Sequence, residues 1–122
     1  MMESILISIK KLLGLMPEYT YFDDDIIVHI NTAFAALNQL GVGPAEGFMI
    51  VDENSEWKDF TTETNLSMIK SYIYLKVRTL FDPPTSSVLM ESMNRNIAEL
   101  EWRIFLEADP KIESSSSDIE QN

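Results

Sequence analysis

The sequence predicts an all-α fold, a small bundle of about four helices with a long central loop and a disordered C-terminal tail. Apolar residues recur at alternating spacings of three and four in several segments, which is the period of an amphipathic helix. Glycines and prolines separate these segments, as they commonly do at helix ends. The chain has 122 residues, of which 45% are hydrophobic, so it is expected to bury one modest core.

The first two helices are predicted from their capping residues and their apolar stripes. Ser4 can cap a short first helix, and Gly14 suits its exit. Aspartates occupy residues 23–25, where they supply a cap and favourable charge for the positive end of the second helix. The second helix is expected to end at Gly41. The first stripe contains Ile5, Ile9, Leu12 and Leu13, and the second contains Ile26, Ile30, Ala33, Leu37 and Leu40.

The helical period breaks between Gly41 and Asn65. Residues 41–44 read Gly-Val-Gly-Pro, a turn signal, and residues 48–51 read Phe-Met-Ile-Val, a β-prone run that could form a short β-hairpin. Residues 53–60 could form a helical turn around Trp57. A connection of this length in a compact domain is more often functional than idle, so it is a candidate partner-binding loop. The candidate residues are Asp52, Glu53, Glu56 and Trp57.

The third helix, predicted from about Leu66 to Phe81, is apolar on two opposed sides. One face carries Leu66, Ile69, Ile73, Val77 and Leu80, and the nearly opposite face carries Met68, Tyr72 and Leu75. Such a helix is either central in its domain or reserves one face for another subunit. Lys70, Tyr74 and Arg78 run between the faces and could receive an acidic surface of an identical neighbour, although a solvated face is the alternative. The candidate subunit interface is therefore Met68, Lys70, Tyr72, Tyr74, Leu75 and Arg78.

Two prolines set the joint between the third and fourth helices. Pro83 and Pro84 lack backbone donors and bias the preceding residues away from the α region, so the third helix must stop near Phe81. Ser86 or Ser87 can cap the fourth helix, which is predicted from about residue 88 to residue 106. Its core stripe contains Leu89, Met93, Ile97, Leu100 and Ile104.

A second apolar group lies on the opposite side of the fourth helix and contains Ala98, Trp102 and Phe105. It is either covered by the first helix or forms a docking face for a partner. The residues after Glu107 are polar and acidic and bury too little apolar surface to offset their ordering entropy. The sequence therefore predicts a helical domain at residues 1–106 and a flexible acidic, serine-rich tail at residues 107–122.

The composition argues against several classes of function. Twenty acidic and nine basic residues give a formal charge of −11, which disfavours binding to duplex DNA because such proteins neutralise phosphates with clustered bases. The chain has no cysteine, which excludes disulfides and fits a reducing cytoplasm. The N-terminal apolar run follows Glu3 and is interrupted by Lys10 and Lys11, unlike a signal peptide, and no run is long enough to span a membrane. We therefore expect a soluble, unsecreted protein.

Residues with catalytic or metal-binding chemistry are few. His29 follows Asp25 by four residues, a spacing that fits two metal ligands, but a surface ion pair explains it better because a metal needs further donors. The aspartates at residues 23–25 lack the alternation and the glycine of a calcium loop. Ser86 and Ser87 have no recognisable base beside them. The sequence indicates no enzyme, no metal and no cofactor.

Six short segments follow one another in a distinctive order. They are His-Ile-Asn at 29–31, Leu-Asn-Gln-Leu-Gly-Val-Gly-Pro at 37–44, Trp57 with Asp59 and Phe60, Lys-Ser-Tyr-Ile-Tyr-Leu-Lys-Val-Arg at 70–78, Phe-Asp-Pro-Pro-Thr-Ser at 81–86 and Glu-Leu-Glu-Trp-Arg at 99–103. Together they resemble the small head-tail connector proteins of tailed bacteriophages. The resemblance spans about Ile5 to Leu106, and the Gly-Val-Gly-Pro turn and the Phe-Asp-Pro-Pro joint are its most distinctive parts.

This resemblance implies a non-enzymatic helical adaptor that forms a ring, usually twelvefold, beneath the portal in the virion neck, assembled in the host cytoplasm. Its partners would be its own copies, the portal protein and the next tail or neck protein, while DNA would pass through the channel without specific binding. Ala98, Trp102 and Phe105 would dock the portal, and the central loop would face the channel or a partner. The alternative from composition is an acidic DNA mimic or inhibitor that binds a basic protein.

Overall fold

The computed structural model describes residues 3–61 and 66–108, and all five of the helices in these ranges belong to one bundle. The helices are α1 (Ile5–Leu12), α2 (Asp23–Gln39), α3 (Trp57–Phe60), α4 (Leu66–Phe81) and α5 (Ser87–Ala108). The predicted all-α fold is therefore confirmed. Helices α1, α2, α4 and α5 are the four predicted ones, and α3 is the helical turn expected around Trp57. The tail predicted from residue 107 lies almost wholly outside the described residues.

Helix α4 is the centre of the bundle because it packs against α1, α2 and α5. Its predicted core face is buried at Ile69, Ile73 and Val77. Its second apolar face is also covered, since Tyr72 is fully buried. The two-sided pattern therefore marks a central helix, which was one of the two alternatives that the sequence left open.

The predicted stripes are buried along most of their length but not at the helix ends. In α2 the side chains of Ile26, Ile30, Ala33 and Leu37 are all buried, as expected. Leu12, Leu80 and Leu89 were predicted to face the core and are exposed. Each of them lies in the first or last turn of its helix, where the neighbouring helices no longer cover it.

Capping residues fix most of the helix ends as the sequence predicts. The Ser4 hydroxyl accepts a hydrogen bond from the Ile7 N–H at 3.2 Å, and the Ser86 hydroxyl accepts one from the Leu89 N–H at 3.3 Å. Helix α4 ends at Phe81, immediately before the Asp-Pro-Pro joint. At the start of α2 the prediction was wrong in detail, because Phe22 is the cap residue and the three aspartates lie inside the first turn, where their charge still favours the helix.

Helix α2 ends in a Schellman motif that turns the chain into the central connection, residues 41–61. The Val42 N–H donates to the Leu37 carbonyl and the Gly41 N–H donates to the Asn38 carbonyl, both at 3.0 Å. Gly41 has a φ of +88°, which a side chain rarely tolerates. The motif buries Val42 and directs the following residues back across α2.

The central connection packs on α2 through an aromatic cluster. The ring of Phe34 lies 5.0 Å from that of Phe48 and 4.6 Å from that of Phe60, measured between ring centroids. Gly43 also approaches this cluster, since a Cβ atom at residue 43 would lie 2.4 Å from Cε1 of Phe60. The Asn38 side-chain amide donates to the Pro44 carbonyl at 3.1 Å, which holds the turn in place. The Gly-Val-Gly-Pro signal therefore serves close packing as well as chain reversal.

The predicted β-hairpin does not form in the described part of the chain. The one backbone bridge between extended residues there joins Ser4 to Glu56 in antiparallel orientation, so the connection pairs with the N-terminal segment. Within residues 48–51, the backbone of Ile50 instead forms hydrogen bonds with the side chain of Asn31 in α2. Among the described helices, none is both long and apolar enough to cross a membrane.

A buried ion pair joins α1 to the start of α2. Lys10 is the one charged residue buried in the described part of the chain. Its Nζ atom donates to the Pro17 carbonyl at 2.9 Å and lies 2.9 Å from Oδ1 of Asp23. Because both contacts lie beyond the end of α1, they fix the path of the loop from α1 to α2.

We predict that Lys10→Met lowers the free energy of unfolding by about 2–4 kcal/mol, because the Pro17 carbonyl and Asp23 lose their partner. Urea denaturation at neutral pH measures this loss. Lys11→Met is the matched control, because Lys11 is the next residue and is exposed. It should change stability by less than about 0.5 kcal/mol. Equal losses in the two variants would contradict a special role for the buried pair.

We also predict that Gly43→Ala destabilises the fold by about 2 kcal/mol more than Gly41→Ala. Both glycines have positive φ, so both substitutions carry a backbone cost of about 1 kcal/mol. Only the alanine at residue 43 would also collide with Phe60, since nothing lies within 4 Å of a Cβ at residue 41. Thermal or urea unfolding of the two variants measures the difference, and similar losses would show that Phe60 moves aside freely.

Candidate partner-binding surfaces

The predicted subunit interface on α4 is largely engaged within the protomer. Lys70 forms an ion pair with Glu3, and its Nζ atom also lies 5.4 Å from the ring centroid of Trp57. Arg78 donates to the Tyr74 hydroxyl at 3.1 Å. Each of the two cations therefore already has a partner in its own chain.

Tyr72 has to be removed from the candidate interface. Its side chain is fully buried, and its hydroxyl donates to Oε2 of Glu101 in α5 at 2.7 Å. Burial, followed by the hydrogen bond to Glu101 and the charge of Glu101, raises the pKa of Tyr72 well above its ordinary value. Met68 and Leu75, its companions on that face, are half-buried and pack against the core. This face of α4 therefore binds α5, not a neighbouring subunit.

A large apolar side chain is exposed on α5. Trp102 exposes 61% of its surface, and its ring stacks on that of Phe105 with 6.0 Å between centroids. Ala98, one turn earlier, is exposed as well. Ile97 and Ile104 are buried on the opposite side of the same helix, against α4. We call Ala98, Trp102 and Phe105 the α5 outer surface. The alternative that α1 covers Trp102 is wrong.

The candidate residues of the central connection divide into two groups. Trp57 is not available to a channel or a partner, since it is 2% exposed and its indole N–H donates to the Ser8 hydroxyl at 3.1 Å. Glu56 is half-buried, and its backbone N–H donates to Oδ2 of Asp59 at 2.8 Å in a capping box for α3. Asp52 and Glu53 are exposed. The Asp52 carboxylate accepts hydrogen bonds from the backbone N–H and the side-chain amide of Asn54, whereas the Glu53 carboxylate has no partner among the described residues.

Sequence reasoning missed an aromatic group at the other end of the bundle, which we call the aromatic corner. It consists of Tyr19, Tyr21, Phe22 and Phe81. The Phe22 ring lies 5.2 Å from that of Phe81 and 4.8 Å from that of Tyr21. Tyr19 and Tyr21 remain exposed. The available signal was the close spacing of three aromatic residues just before α2.

Sequence reasoning also missed how residues 48–51 are held. The side chain of Asn31 pairs with the backbone of Ile50 at two atoms, since its Oδ1 accepts from the Ile50 N–H at 2.8 Å and its Nδ2 donates to the Ile50 carbonyl at 3.0 Å. This side-chain amide reproduces the bonding of a neighbouring β-strand. Asn31 belongs to the His-Ile-Asn segment, which the sequence linked to the family resemblance without giving it a structural role.

The candidate catalytic and metal-binding residues do not form a common site within the described ranges. In the described part of the chain Asp25 and His29 do not form the expected ion pair, and no group of three or more His, Cys, Asp or Glu side chains is placed to hold a metal ion. Ser86 acts as the cap of α5. The surface features that stand out among the described residues are the exposed aromatic side chains of the α5 outer surface and of the aromatic corner.

A small all-α bundle with exposed aromatic surfaces and a strongly acidic composition is the type of protein that works by binding other proteins. The chain matches the phage connector protein family over residues 5–111, and it belongs to this family. No curated protein and no solved structure matches it. The protein is therefore a phage head-tail connector, a component of the virion neck that interacts with other head and tail proteins.

We predict that Tyr72→Phe destabilises the protein by about 1–2 kcal/mol at pH 8, because Glu101 loses its buried donor. The raised pKa of Tyr72 means that its contribution is complete below about pH 10, the ordinary tyrosine value, and is lost as the pH rises above it. The stability difference between wild type and Tyr72→Phe should therefore be constant below about pH 10 and shrink at higher pH. Urea unfolding at several pH values measures it, and a difference that is constant with pH would contradict the assignment.

Proposed function

We propose that this connector is a structural, non-enzymatic subunit of a ring beneath the portal, and that the ring is usually twelvefold in the virion. The ring extends the DNA channel and presents a surface for the next neck or tail protein. The single observation that carries the portal contact is the exposure of Trp102 at 61% of its surface on a well-packed helix. Membership of the phage connector family supports the role over that of an acidic DNA mimic.

The α5 outer surface is suited to bind the portal protein. An exposed tryptophan gains much from burial, and such residues often dominate interfaces, with truncations costing about 2 kcal/mol or more. Phe105 stacks beside Trp102 and limits the orientations of the indole, so less conformational entropy is lost on binding. The buried face of the same helix, at Ile97 and Ile104, keeps the surface fixed relative to the core.

Ring formation requires two different surfaces on each protomer, because a cyclic assembly uses a heterologous contact. The aromatic corner offers one such surface, with Tyr19 and Tyr21 exposed. On α4, Tyr74 lies outside the face that binds α5, is half-buried, and remains available in part for the other surface. Lys70 and Arg78 contribute less than the sequence indicated, since they already have partners in their own chain.

The charge of the chain fits a channel that conducts DNA without binding it. A formal charge of −11 repels a polyanion, so DNA would slide past the ring instead of adhering to it. Asp52 and Glu53, both exposed in the central connection, are the described residues that we place nearest to the channel or to a partner.

Negative-stain electron microscopy and light scattering of the purified chain, alone and with purified portal, test the proposal. We expect rings at high protein concentration or on the portal. If only monomers appear at high concentration, both alone and with portal, the proposed ring is wrong.

We predict that Trp102→Ala weakens portal binding by about 2 kcal/mol or more, roughly thirtyfold in affinity, while the domain stays folded. Surface plasmon resonance with immobilised portal measures the affinity, and circular dichroism checks the fold. Val88→Ala is the matched control, because Val88 is also exposed and apolar on α5 but lies outside the outer surface. It should bind as wild type. Unfolding of Trp102→Ala, or equal losses in both variants, would contradict the proposed portal contact.

A further inference from the structure

Residues 48–51 of the central connection have the burial pattern of a β-strand that lies on the protein surface. Ile50 is 1% exposed, whereas Met49 and Val51 on either side of it are 70% and 79% exposed. Phe48 packs on the aromatic cluster of the core. Side chains that alternate between inside and outside indicate an extended backbone.

One edge of this extended segment already has a partner. Asn31 bonds both the N–H and the carbonyl of Ile50, which are the two groups that a neighbouring strand would engage. In an extended chain the backbone groups of Met49 and Val51 point toward the other edge. These groups have no hydrogen-bond partner within residues 3–61 and 66–108. The segment is thus an extended stretch of backbone with one edge bonded to a side chain and the other edge open.

We propose that the open edge of residues 48–51 accepts a β-strand from a different protein of the neck, by β-augmentation. The inference rests on the proposed function, since the donor is then another head or tail protein. An unpaired edge is a template for strand addition, and the backbone bonds supply affinity without requiring a deep pocket. The exposed side chains of Met49 and Val51 would pack against alternate apolar side chains of the incoming strand.

The charges around the edge define the chemistry of that strand. Glu46 precedes the segment and Asp52 and Glu53 follow it, and all three side chains are exposed. An incoming strand with lysine or arginine near its ends would find complementary charge at both ends of the edge. The donor is therefore an extended segment with alternate apolar residues flanked by basic ones.

A second copy of this chain fits the edge poorly. Antiparallel pairing of two identical segments would place the carboxylates of Glu46, Asp52 and Glu53 from both copies close together, and like charges on paired strands destabilise them. Such a pairing would also have twofold symmetry, which gives a closed dimer. The charges favour a different, basic partner.

The first test measures amide exchange in the full chain by NMR, with a synthetic ten-residue peptide of alternating valine and lysine as the probe. A control peptide has the same charge but carries proline at every second valine, so it lacks the donors needed for pairing. With the first peptide we expect the exchange of the amides of Met49 or Val51 to slow by about tenfold, and that of Ile50 to stay unchanged because it is already bonded. Unchanged exchange at both exposed residues, or equal slowing by the two peptides, would overturn the proposal.

The second test separates backbone pairing from side-chain contact. Met49→Pro removes the N–H from the open edge, whereas the matched variant Met49→Ala removes only the side chain. We expect Met49→Pro to weaken peptide binding about tenfold or more and Met49→Ala to weaken it about threefold or less, with both variants retaining the helical circular dichroism of wild type. Equal effects of the two variants would overturn the proposal, and so would a dimer of the full chain that Met49→Pro dissociates. Neither test uses portal, so a failure here is distinct from a failure of the Trp102 contact.

Discussion

The packing of the central connection across α2 is the constraint on which the rest of the structure depends. Asn31, Phe34 and Asn38 lie at helical spacing on α2 and hold the connection at Ile50, at the aromatic cluster and at Pro44. This placement brings the segment before α3 against the N-terminus, where the Trp57 backbone N–H donates to the Glu3 carbonyl at 3.2 Å. Trp57 and Phe60, the two ends of α3, then complete a core that the four longer helices would leave open. A connection that reads as a loop in the sequence is therefore part of the fold's interior.

The features that could be predicted from sequence are those set by local rules. Helix ends depend on residues within one turn, so Ser4, Gly41 and the Pro83-Pro84 joint identified them correctly. The stripe of α2 was identified for the same reason, since a period of 3.6 is visible without knowledge of the neighbours. The same rule failed at Leu80 and Leu89, which are exposed. Periodicity shows which face of a helix a residue occupies, but it does not show how far along that helix the neighbouring helices extend.

The features that could not be predicted depend on partners distant in the chain. The second face of α4 was visible, but only the structure shows that Tyr72 meets Glu101, which lies 29 residues later. Lys10 reads as an exposed lysine in a helix, yet the chain beyond α1 folds back to supply Pro17 and Asp23. The two tryptophans show the same dependence on distant partners. Trp57, assigned to a partner-binding loop, is buried, and Trp102, for which cover by α1 was an equal alternative, is exposed.

The rigid centre and the exposed surfaces together explain how one small domain can serve as a connector. The aromatic corner is built from residues 19–22 and the end of α4, whereas the α5 outer surface is built from residues 98–105 of α5, so the two surfaces share no residue. Because α4 packs against α1, α2 and α5, these surfaces keep a fixed relation to one another. In the proposed function, the acidic composition would act in two ways, since it would repel DNA and select basic protein partners. We propose that apolar anchors on a fixed bundle supply affinity while charge selects the partner, a division of roles that suits a subunit placed between a head and a tail.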